Sequence, residues 1–452
     1  MIDQVPVSID VKKLHSYNLK RNLKYFLFAV PAIVYVLILS IYPAINIIYD
    51  SFRNSSGFTL HNYTVLPSIG LYSALANTAI VSIGALLIQL FFALLIAMIM
   101  IKKFKGNRIF STIVIIPFGI STVVAGFIFS NIFTGRGGFA SSFLNIFGFH
   151  VDWIRTSFDK LFVVMFSDFW KNTPLIALIL LGGLSSINPN LYEAAAVDGA
   201  GAFRRFFHIT LPNIAPLMAI ALLIRGVSEF NIFALPQVLI GDNPPLMNTL
   251  IYYNYNIVAN RTISYSLSVI LLVIIPFGIS TVVAGFIFSN IFTGRGGLAS
   301  SFLNIFGFHV DWIRTSFDKL FVVMFSDFWK NTPLIALILL GGLSSINPNL
   351  YEAAAVDGAG AFRRFFHITL PNIAPLMAIA LLIRGVSEFN IFALPQVLIG
   401  DNPPLMNTLI YYNYNIVANR TISYSLSVIL LVIILAYAAV VLKLGGGPKY
   451  AK

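Results

Sequence analysis

The stretch EAAAVDGAGAFRRFFHITLP occupies residues 193–212 and recurs without change at residues 352–371. We refer to these stretches as the first and second EAA segments. Long apolar runs flank each of them, so a polar segment with two short helix-forming parts lies twice between hydrophobic segments. Such a segment, held at the end of two membrane spans, is typical of a surface on which a cytoplasmic partner docks.

The composition is that of an integral membrane protein. Of the 452 residues, 58% are hydrophobic and 10% are charged, and the mean hydropathy is +0.85, whereas a soluble domain carries about 25% charged residues. The chain has no cysteine, which excludes thiolate metal sites, and we expect no metal site. The net charge of +12 fits the basic bias of cytoplasmic loops rather than a nucleic-acid partner.

Nine apolar runs are long enough to be membrane spans, since a span needs about 20 apolar residues. They cover residues 25–49, 71–101, 109–135, 161–187, 211–240, 262–294, 320–346, 370–399 and 421–442. The first run has no cleavage site after a short apolar core, so we expect a permanent helix. Basic clusters at residues 12–24 and 102–108 are expected in the cytoplasm, and they place the first EAA segment there too.

Residues 114–272, the first copy, are repeated as residues 273–431, the second copy, with Phe139 against Leu298 as the one difference. This near-identity indicates a recent tandem duplication or an artefact of the sequence. The 452 residues less one 159-residue copy leave 293 residues and six spans. We therefore divide the chain into a cytoplasmic N-terminal segment, a transmembrane domain, a duplicated partial unit and a C-terminal tail. Their bounds are 1–24, 25–272, 273–442 and 443–452.

The junction between the copies leaves two topologies open. Residues 262–294 are 33 uncharged residues, whereas two full spans need about 40. Length favours a single crossing, which gives nine spans and puts the second EAA segment and the basic tail outside. Charge favours a hairpin at Pro276 and Gly278, which gives ten spans and returns both to the cytoplasm. The predicted fold is an all-α, polytopic transmembrane bundle, a six-span core expanded to nine or ten spans.

The EAA segment itself predicts a helix, a turn and a second helix. Asn188 is a suitable N-cap and Pro189 fits the first helical position. Residues 191–196 then form a short helix. Gly199 and Gly201 permit a turn that residues with a β-carbon resist, and residues 202–209 form the second helix, with three phenylalanines available for burial.

The segment resembles the EAA loop of binding-protein-dependent ABC importer permeases. That pattern is Glu-Ala-Ala, three residues, Gly, nine residues, Ile, one residue, Leu-Pro, and both segments fill every position. The residues that the resemblance assigns to ATPase coupling, with the aspartate before each glycine, are Glu193, Ala194, Ala195, Asp198, Gly199, Ile209, Leu211 and Pro212, and Glu352, Ala353, Ala354, Asp357, Gly358, Ile368, Leu370 and Pro371. Residues 170–184, which begin Trp-Lys-Asn-Thr-Pro and end Gly-Leu, also resemble the fourth span of sugar-type permeases.

The resemblance implies a multi-pass protein of the inner or plasma membrane with several partners. These are separate ABC ATPase subunits, a second permease subunit, an extracytoplasmic solute-binding protein and the lipid bilayer. The chain carries no G-x-x-x-x-G-K-[ST] phosphate loop. We therefore expect no cofactor in this chain and no enzymatic activity of its own, because ATP would be bound and hydrolysed by the partner.

Charged and polar residues within the spans are candidates for the solute path, because ionisable groups in membrane spans are costly and frequently functional. Arg225 and Glu229 are spaced i, i+4, and Asp168 and Lys171 are spaced i, i+3, so each pair can instead neutralise itself and hold helices together. The candidates are Asp168, Trp170, Lys171, Asn172, Arg225, Glu229 and Asn231.

Three functional classes can be compared with these sequence features. The preferred one is the permease subunit of an ATP-driven importer, moving a sugar or a related polar solute. The alternative is an ATP-independent channel or secondary carrier. A membrane-embedded enzyme has little support, because the sequence contains neither H-E-x-x-H nor G-x-S-x-G.

Overall fold

The computed structural model describes residues 30, 41–54, 57–102, 104–135, 137–274, 280–293, 297–344, 346 and 348–444. Within these ranges the chain is almost entirely helical, and its strands are the two-residue pair Arg53–Asn54 and Gly57–Phe58. The all-α prediction is confirmed. The predicted segment 1–24, most of the first half of span 25–49, the junction residues Pro276 and Gly278 and the tail from residue 445 lie outside the described residues.

Thirteen helices are described up to the end of the first copy. They are α1 Tyr42–Ser51, α2 His61–Thr64, α3 Leu71–Met100, α4 Asn107–Gly119, α5 Thr122–Phe133, α6 Phe139–Asn145, α7 Ser157–Ser186, α8 Pro189–Val197, α9 Ala202–Arg205, α10 Leu211–Phe230, α11 Ala234–Leu239, α12 Met247–Asn256 and α13 Arg261–Ile274. A π-helical turn, Phe206–Thr210, joins α9 to α10 without a break.

The described part of the second copy repeats this order from α5 onward. Its helices are α14 Thr281–Phe292, α15 Leu298–Ile305, α16 Ser316–Ser344, α17 Pro348–Val356, α18 Ala361–Arg364, α19 Leu370–Phe389, α20 Ala393–Leu398, α21 Met406–Asn415 and α22 Arg420–Leu444. The π-helical turn recurs at Phe365–Thr369. Helix α22 continues beyond the repeat into apolar residues up to Leu444.

Five helical stretches in the described residues are long and apolar enough to cross a membrane. They are Leu71–Met100, Ser157–Ser185, Ala202–Phe230, Ser316–Leu340 and Arg420–Val441. A sixth is possible if the bent pair α4 and α5 counts as one span. The chain is therefore a multi-pass membrane protein, and the total of nine or ten spans stays a prediction.

The third predicted span, 109–135, is not one straight helix. Helices α4 and α5 meet at 98°, because Ile120 and Ser121 between them are both extended, with ψ of 136° and 142°. Pro117 and Gly119 weaken the last turn of α4, since proline lacks an amide donor and glycine is a poor helix former. The predicted span 109–135 is therefore sharply bent, and its crossing of the membrane stays a prediction.

The junction between the copies folds back on itself. The side chain of Asn290 on α14 donates a hydrogen bond of 2.9 Å to the hydroxyl of Tyr265 on α13, across 25 residues of sequence. One continuous helix would hold these residues about 37 Å apart. Residues 262–294 therefore do not form one continuous crossing helix, and α13 and α14 run in opposite directions.

The second EAA segment follows α16, whose direction is set by contacts with α14. Phe288 packs edge-on against Trp329 at 5.0 Å between ring centroids, and Phe292 packs against Phe325 at 5.7 Å. The contact that lies four residues later on α14 lies four residues earlier on α16, so these helices are antiparallel. Because α14 is antiparallel to α13, α16 and α13 run in the same direction.

The first EAA segment follows α7, which runs in that same direction. The C-terminal half of α13 lies against the middle of α1, where Leu272 and Ile47 line one small cavity, and its Ser266 donates to the carbonyl of Ser51 at the end of α1. Helix α1 is therefore antiparallel to α13. Helix α3, which follows the end of α1, runs parallel to α7, because Gly84 lies against Met165 and Phe92 against Phe169. Both EAA segments consequently lie at the same end of the bundle.

Candidate functional site

The first EAA segment forms the predicted helix, turn and helix. The side chain of Asn188 accepts a hydrogen bond of 3.0 Å from the amide of Asn190, and Pro189 begins α8, so the predicted cap is confirmed. Gly199 has φ of +70°, the left-handed region that favours glycine. Gly201 has φ of −66°, so the prediction that both glycines serve the turn was wrong for Gly201.

The segment is attached to the bundle through Tyr192, Ile209 and Thr210, and many of its other side chains are exposed. The hydroxyl of Tyr192 on α8 lies 2.9 Å from Oγ1 of Thr210, directly before α10. Val197 is 88% exposed, and of the three phenylalanines available for burial Phe203 is 83% exposed, Phe207 is 55% exposed and Phe206 is half-buried. Large apolar side chains presented together at a surface mark an interaction site, although the structure holds no partner against them.

The second EAA segment has the same local geometry. Tyr351 and Thr369 repeat the 2.9 Å contact, and Gly358 has φ of +71°. Val356 and Phe362 are as exposed as their equivalents. In both segments the glutamate, the first alanine, the aspartate, the glycine and the final proline are exposed, whereas the second alanine, the isoleucine and the leucine are half-buried.

A charged cluster joins three helices in the first copy. Arg225 on α10 donates to Asp168 on α7 at 2.9 Å and also pairs with Glu229 one turn further along α10. Gln89 on α3 donates to Asp168 at 2.6 Å and to Glu229 at 2.9 Å. All four side chains are buried. We call these four residues the first charged cluster.

The cluster differs from the two separate pairs that the spacing predicted. Arg225 does pair with Glu229, but Asp168 pairs with Arg225, and Lys171 instead lies over the ring of Phe118 at 5.9 Å. The sequence analysis missed Gln89. A glutamine in an otherwise apolar predicted span is the signal that could have found it, since polar groups in lipid need internal partners.

The remaining candidates for the solute path lie around this cluster. Asn172 donates to Asp168 at 2.8 Å. Trp170 packs edge-on against Phe129 at 5.3 Å, in an aromatic group between α5 and α7. Asn231 follows the last residue of α10, and its amide donates to the carbonyl of Val227 at 3.2 Å.

The second copy contains the same charged residues without the glutamine. Arg384 pairs with Asp327 and with Glu388. The Glu388 side chain is 43% exposed, whereas its equivalent Glu229 is fully buried. We call Asp327, Arg384 and Glu388 the second charged cluster. The repeat begins after α3, so the second copy has no equivalent of Gln89 that could cover the second charged cluster.

The sequence matches one family model twice, over residues 89–289 and 272–444. The family is described as the binding-protein-dependent transport system inner membrane component. The chain belongs to this family. It is therefore a transport permease of the inner membrane rather than an enzyme, and the two overlapping matches agree with the internal duplication.

Similar proteins are permeases of sugar transport systems. The chain is 29% identical over 276 residues to the trehalose/maltose permease MalF of Thermococcus litoralis, covering 57% of this chain and 94% of that protein. It is 32% identical over 240 residues to the arabinooligosaccharides permease AraP of Bacillus subtilis, covering 51% and 77%. A bacterial ABC transporter that imports alginate is similar at 25% identity and a TM-score of 0.48, covering 58% and 95%.

Proposed function

We propose that this permease imports a sugar or a related polar solute, and that separate ABC ATPase subunits drive it by docking on the EAA segments. The solute class is supported by the names of the similar permeases, which transport trehalose or maltose and arabinooligosaccharides. The family description supports an extracytoplasmic binding protein that delivers the solute. A second permease unit and the bilayer complete the proposed set of partners.

The observation that carries the ATPase proposal is the exposed face of each EAA segment. Val197 and Phe203 offer apolar surface, and Glu193 and Asp198 add exposed carboxylates beside it. A partner with an apolar groove and basic groups around its rim would match this surface. We assign the coupling role to the whole set of EAA residues predicted from the pattern in both copies.

The proposed coupling runs from the EAA segment into α10. The contact of Tyr192 with Thr210 attaches α8 to the start of the helix. From Pro212 to Arg225 along α10 is about 20 Å, so a displacement of α8 would reach the level of the first charged cluster. ATP-driven closure of the partner would thus tilt α10 and alternate access to the solute.

The first charged cluster supports a packing role more strongly than direct solute contact. Gln89, Asp168, Arg225 and Glu229 are buried and bind one another through hydrogen bonds and ion pairs. We propose that these four residues hold α3, α7 and α10 together as one moving unit. A role of Trp170, Lys171, Asn172 or Asn231 in the solute path stays a prediction.

Uptake in proteoliposomes tests the proposal against an ATP-independent channel or carrier. The chain would be reconstituted with its ATPase and binding protein, and the uptake of labelled maltose, trehalose and arabinooligosaccharides measured with internal ATP. We expect uptake of at least one of these sugars, lost when the phosphate-loop lysine of the ATPase is replaced. Equal uptake with the inactive ATPase would favour the channel or carrier instead.

A further inference from the structure

The two copies of the repeat contact each other through equivalent residues, each time in exchanged roles. Ser121 at the start of α5 donates to the side chain of Asn407 in α21, and Ser280 before α14 donates to Asn248 in α12. Ser280 and Asn407 are the repeats of Ser121 and Asn248. The serine of each copy therefore binds the asparagine of the other copy.

Aromatic rings repeat this exchange. Phe127 of the first copy stacks on Tyr414 of the second at 3.7 Å between centroids, with 14° between the planes. Phe286 of the second copy stacks on Tyr255 of the first at 3.8 Å and 17°. The two contacts have nearly the same geometry although they join opposite copies.

A third exchanged pair lies further along the same helices. Asn131 on α5 donates to the hydroxyl of Tyr424 on α22 at 2.9 Å, and Asn290 on α14 donates to Tyr265 on α13, also at 2.9 Å. Each α5-type helix thus runs along the α13-type helix of the other copy.

The position of an axis follows from a residue that meets its own repeat. The rings of Phe233 and Phe392 stack at 6.5 Å, with 18° between their planes, and these are equivalent positions. Equivalent residues of two copies meet at a twofold axis. Burial, and secondly the nearby Tyr411, which is its own repeat, raise the pKa of Tyr252 to about 12.

The surface between the copies has the character of a protein interior. Ser121, Asn248, Ser280 and Asn407 are buried and hydrogen-bonded, and one continuous hydrophobic core includes side chains from both copies. Paired polar groups within an apolar contact fix its register, because an unmatched partner would leave a buried polar group without a hydrogen bond.

We infer that the two copies form a pseudo-twofold permease pair within one chain, in which the second copy takes the place of a separate second permease subunit. Reciprocal contacts and a self-stacked residue are the marks of an isologous interface. The paired arrangement of the copies is inferred from contacts alone. Only its description as a permease pair rests on the proposed function. It further implies two docking sites for ATPase subunits at one end of each chain.

Chemical cross-linking of the full-length chain in membranes tests the exchange. The chain has no native cysteine, and Asn131 and Tyr424 are exposed. Asn131→Cys with Tyr424→Cys would be treated with a short bis-maleimide, and intact mass would separate one bridging reagent from two singly attached ones. We expect several-fold more bridging in this variant than in the control, Asn131→Cys with Tyr265→Cys, after scaling by the single labelling of each thiol, because Tyr265 is 5% exposed and Tyr424 is 41% exposed.

The reciprocal variants provide an independent check if one pair of substitutions disturbs folding. Asn290→Cys with Tyr265→Cys should bridge, and Asn290→Cys with Tyr424→Cys should bridge several-fold less. Preferential bridging within each copy, or bridges that join two chains on a denaturing gel, would overturn the inference. Neither measurement requires transport, so a failure of the proposed function would leave the cross-linking result unchanged.

Discussion

The two EAA segments and the two charged clusters respond differently to duplication. Both EAA segments contain the same 2.9 Å tyrosine–threonine contact, the same left-handed glycine and the same exposed apolar side chains. Their geometry depends on caps, turns and contacts within about 20 residues of sequence. A segment that is stabilised by local interactions has the same structure at both of its positions in the chain.

The charged clusters have the same sequence but different surroundings. The first is covered by α3, whose Gln89 donates to two carboxylates, and Glu229 is fully buried. The second has no α3, and Glu388 is 43% exposed. Residues from distant parts of the chain therefore decide whether this group is an enclosed network or a partly exposed one.

The largest expected effect separates the two clusters directly. Arg225→Met removes the cation from two buried carboxylates, and we expect a loss of about 3–5 kcal/mol in stability. The matched variant Arg384→Met should lose less, about 1–2 kcal/mol, because Glu388 is 43% exposed and stays solvated whereas Asp327 is 13% exposed. Thermal unfolding of the purified chain in detergent measures both. Equal losses would show that the clusters do not differ energetically.

Removing the glutamine should make the first cluster resemble the second. Gln89→Leu removes one hydrogen-bond donor from each of two buried carboxylates, which keep Arg225, and we expect a loss of about 1–3 kcal/mol. Leu87→Ala, at an exposed position on the same helix, is the control for a change in α3 and should have a smaller effect. The midpoint of thermal unfolding is again the readout. A Gln89→Leu protein as stable as the parent would contradict the role of α3.

The EAA segments should respond alike to loss of the left-handed glycine. Alanine in that conformation costs about 1–2 kcal/mol, so Gly199→Ala and Gly358→Ala should each lower sugar uptake while ATP hydrolysis continues. Gly201→Ala and Gly360→Ala are matched controls, since both have φ of −66° and open space around the added carbon. Uptake and hydrolysis are measured in the same proteoliposomes. Unchanged uptake in both variants would contradict the proposed coupling role of the EAA segments.

The smallest effect concerns what replaces α3 in the second copy. Gly226 faces Leu86 of α3 at ordinary contact distance, whereas Gly385 lies directly against Tyr437 of α22. Gly385→Ala should displace this ring and its hydrogen bond of 2.6 Å to the carbonyl of Leu381, at about 1 kcal/mol. Gly226→Ala should be neutral or better in thermal unfolding. A larger loss of stability in Gly226→Ala than in Gly385→Ala would contradict the packing of α22 against α19.

The features that the sequence predicted correctly are local. The helical class, the Asn188 cap, the turn at Gly199 and the i, i+4 contact of Arg225 with Glu229 all depend on neighbouring residues or on composition. The features it missed depend on residues far apart. Gln89 binds Asp168 and Glu229, which are 79 and 140 residues away in the sequence. The exposure of Phe203 depends on whether another segment packs against it. No periodicity in one helix contains that information.

The most direct test of the account asks on which side of the membrane each EAA segment lies. Val197→Cys and Val356→Cys place single thiols at equivalent, highly exposed positions in a chain without cysteine. A membrane-impermeant maleimide would be applied to right-side-out and inside-out vesicles. We predict that both thiols are labelled in inside-out vesicles only. Labelling of the two positions from opposite sides would contradict the folded-back junction and the paired arrangement of the copies.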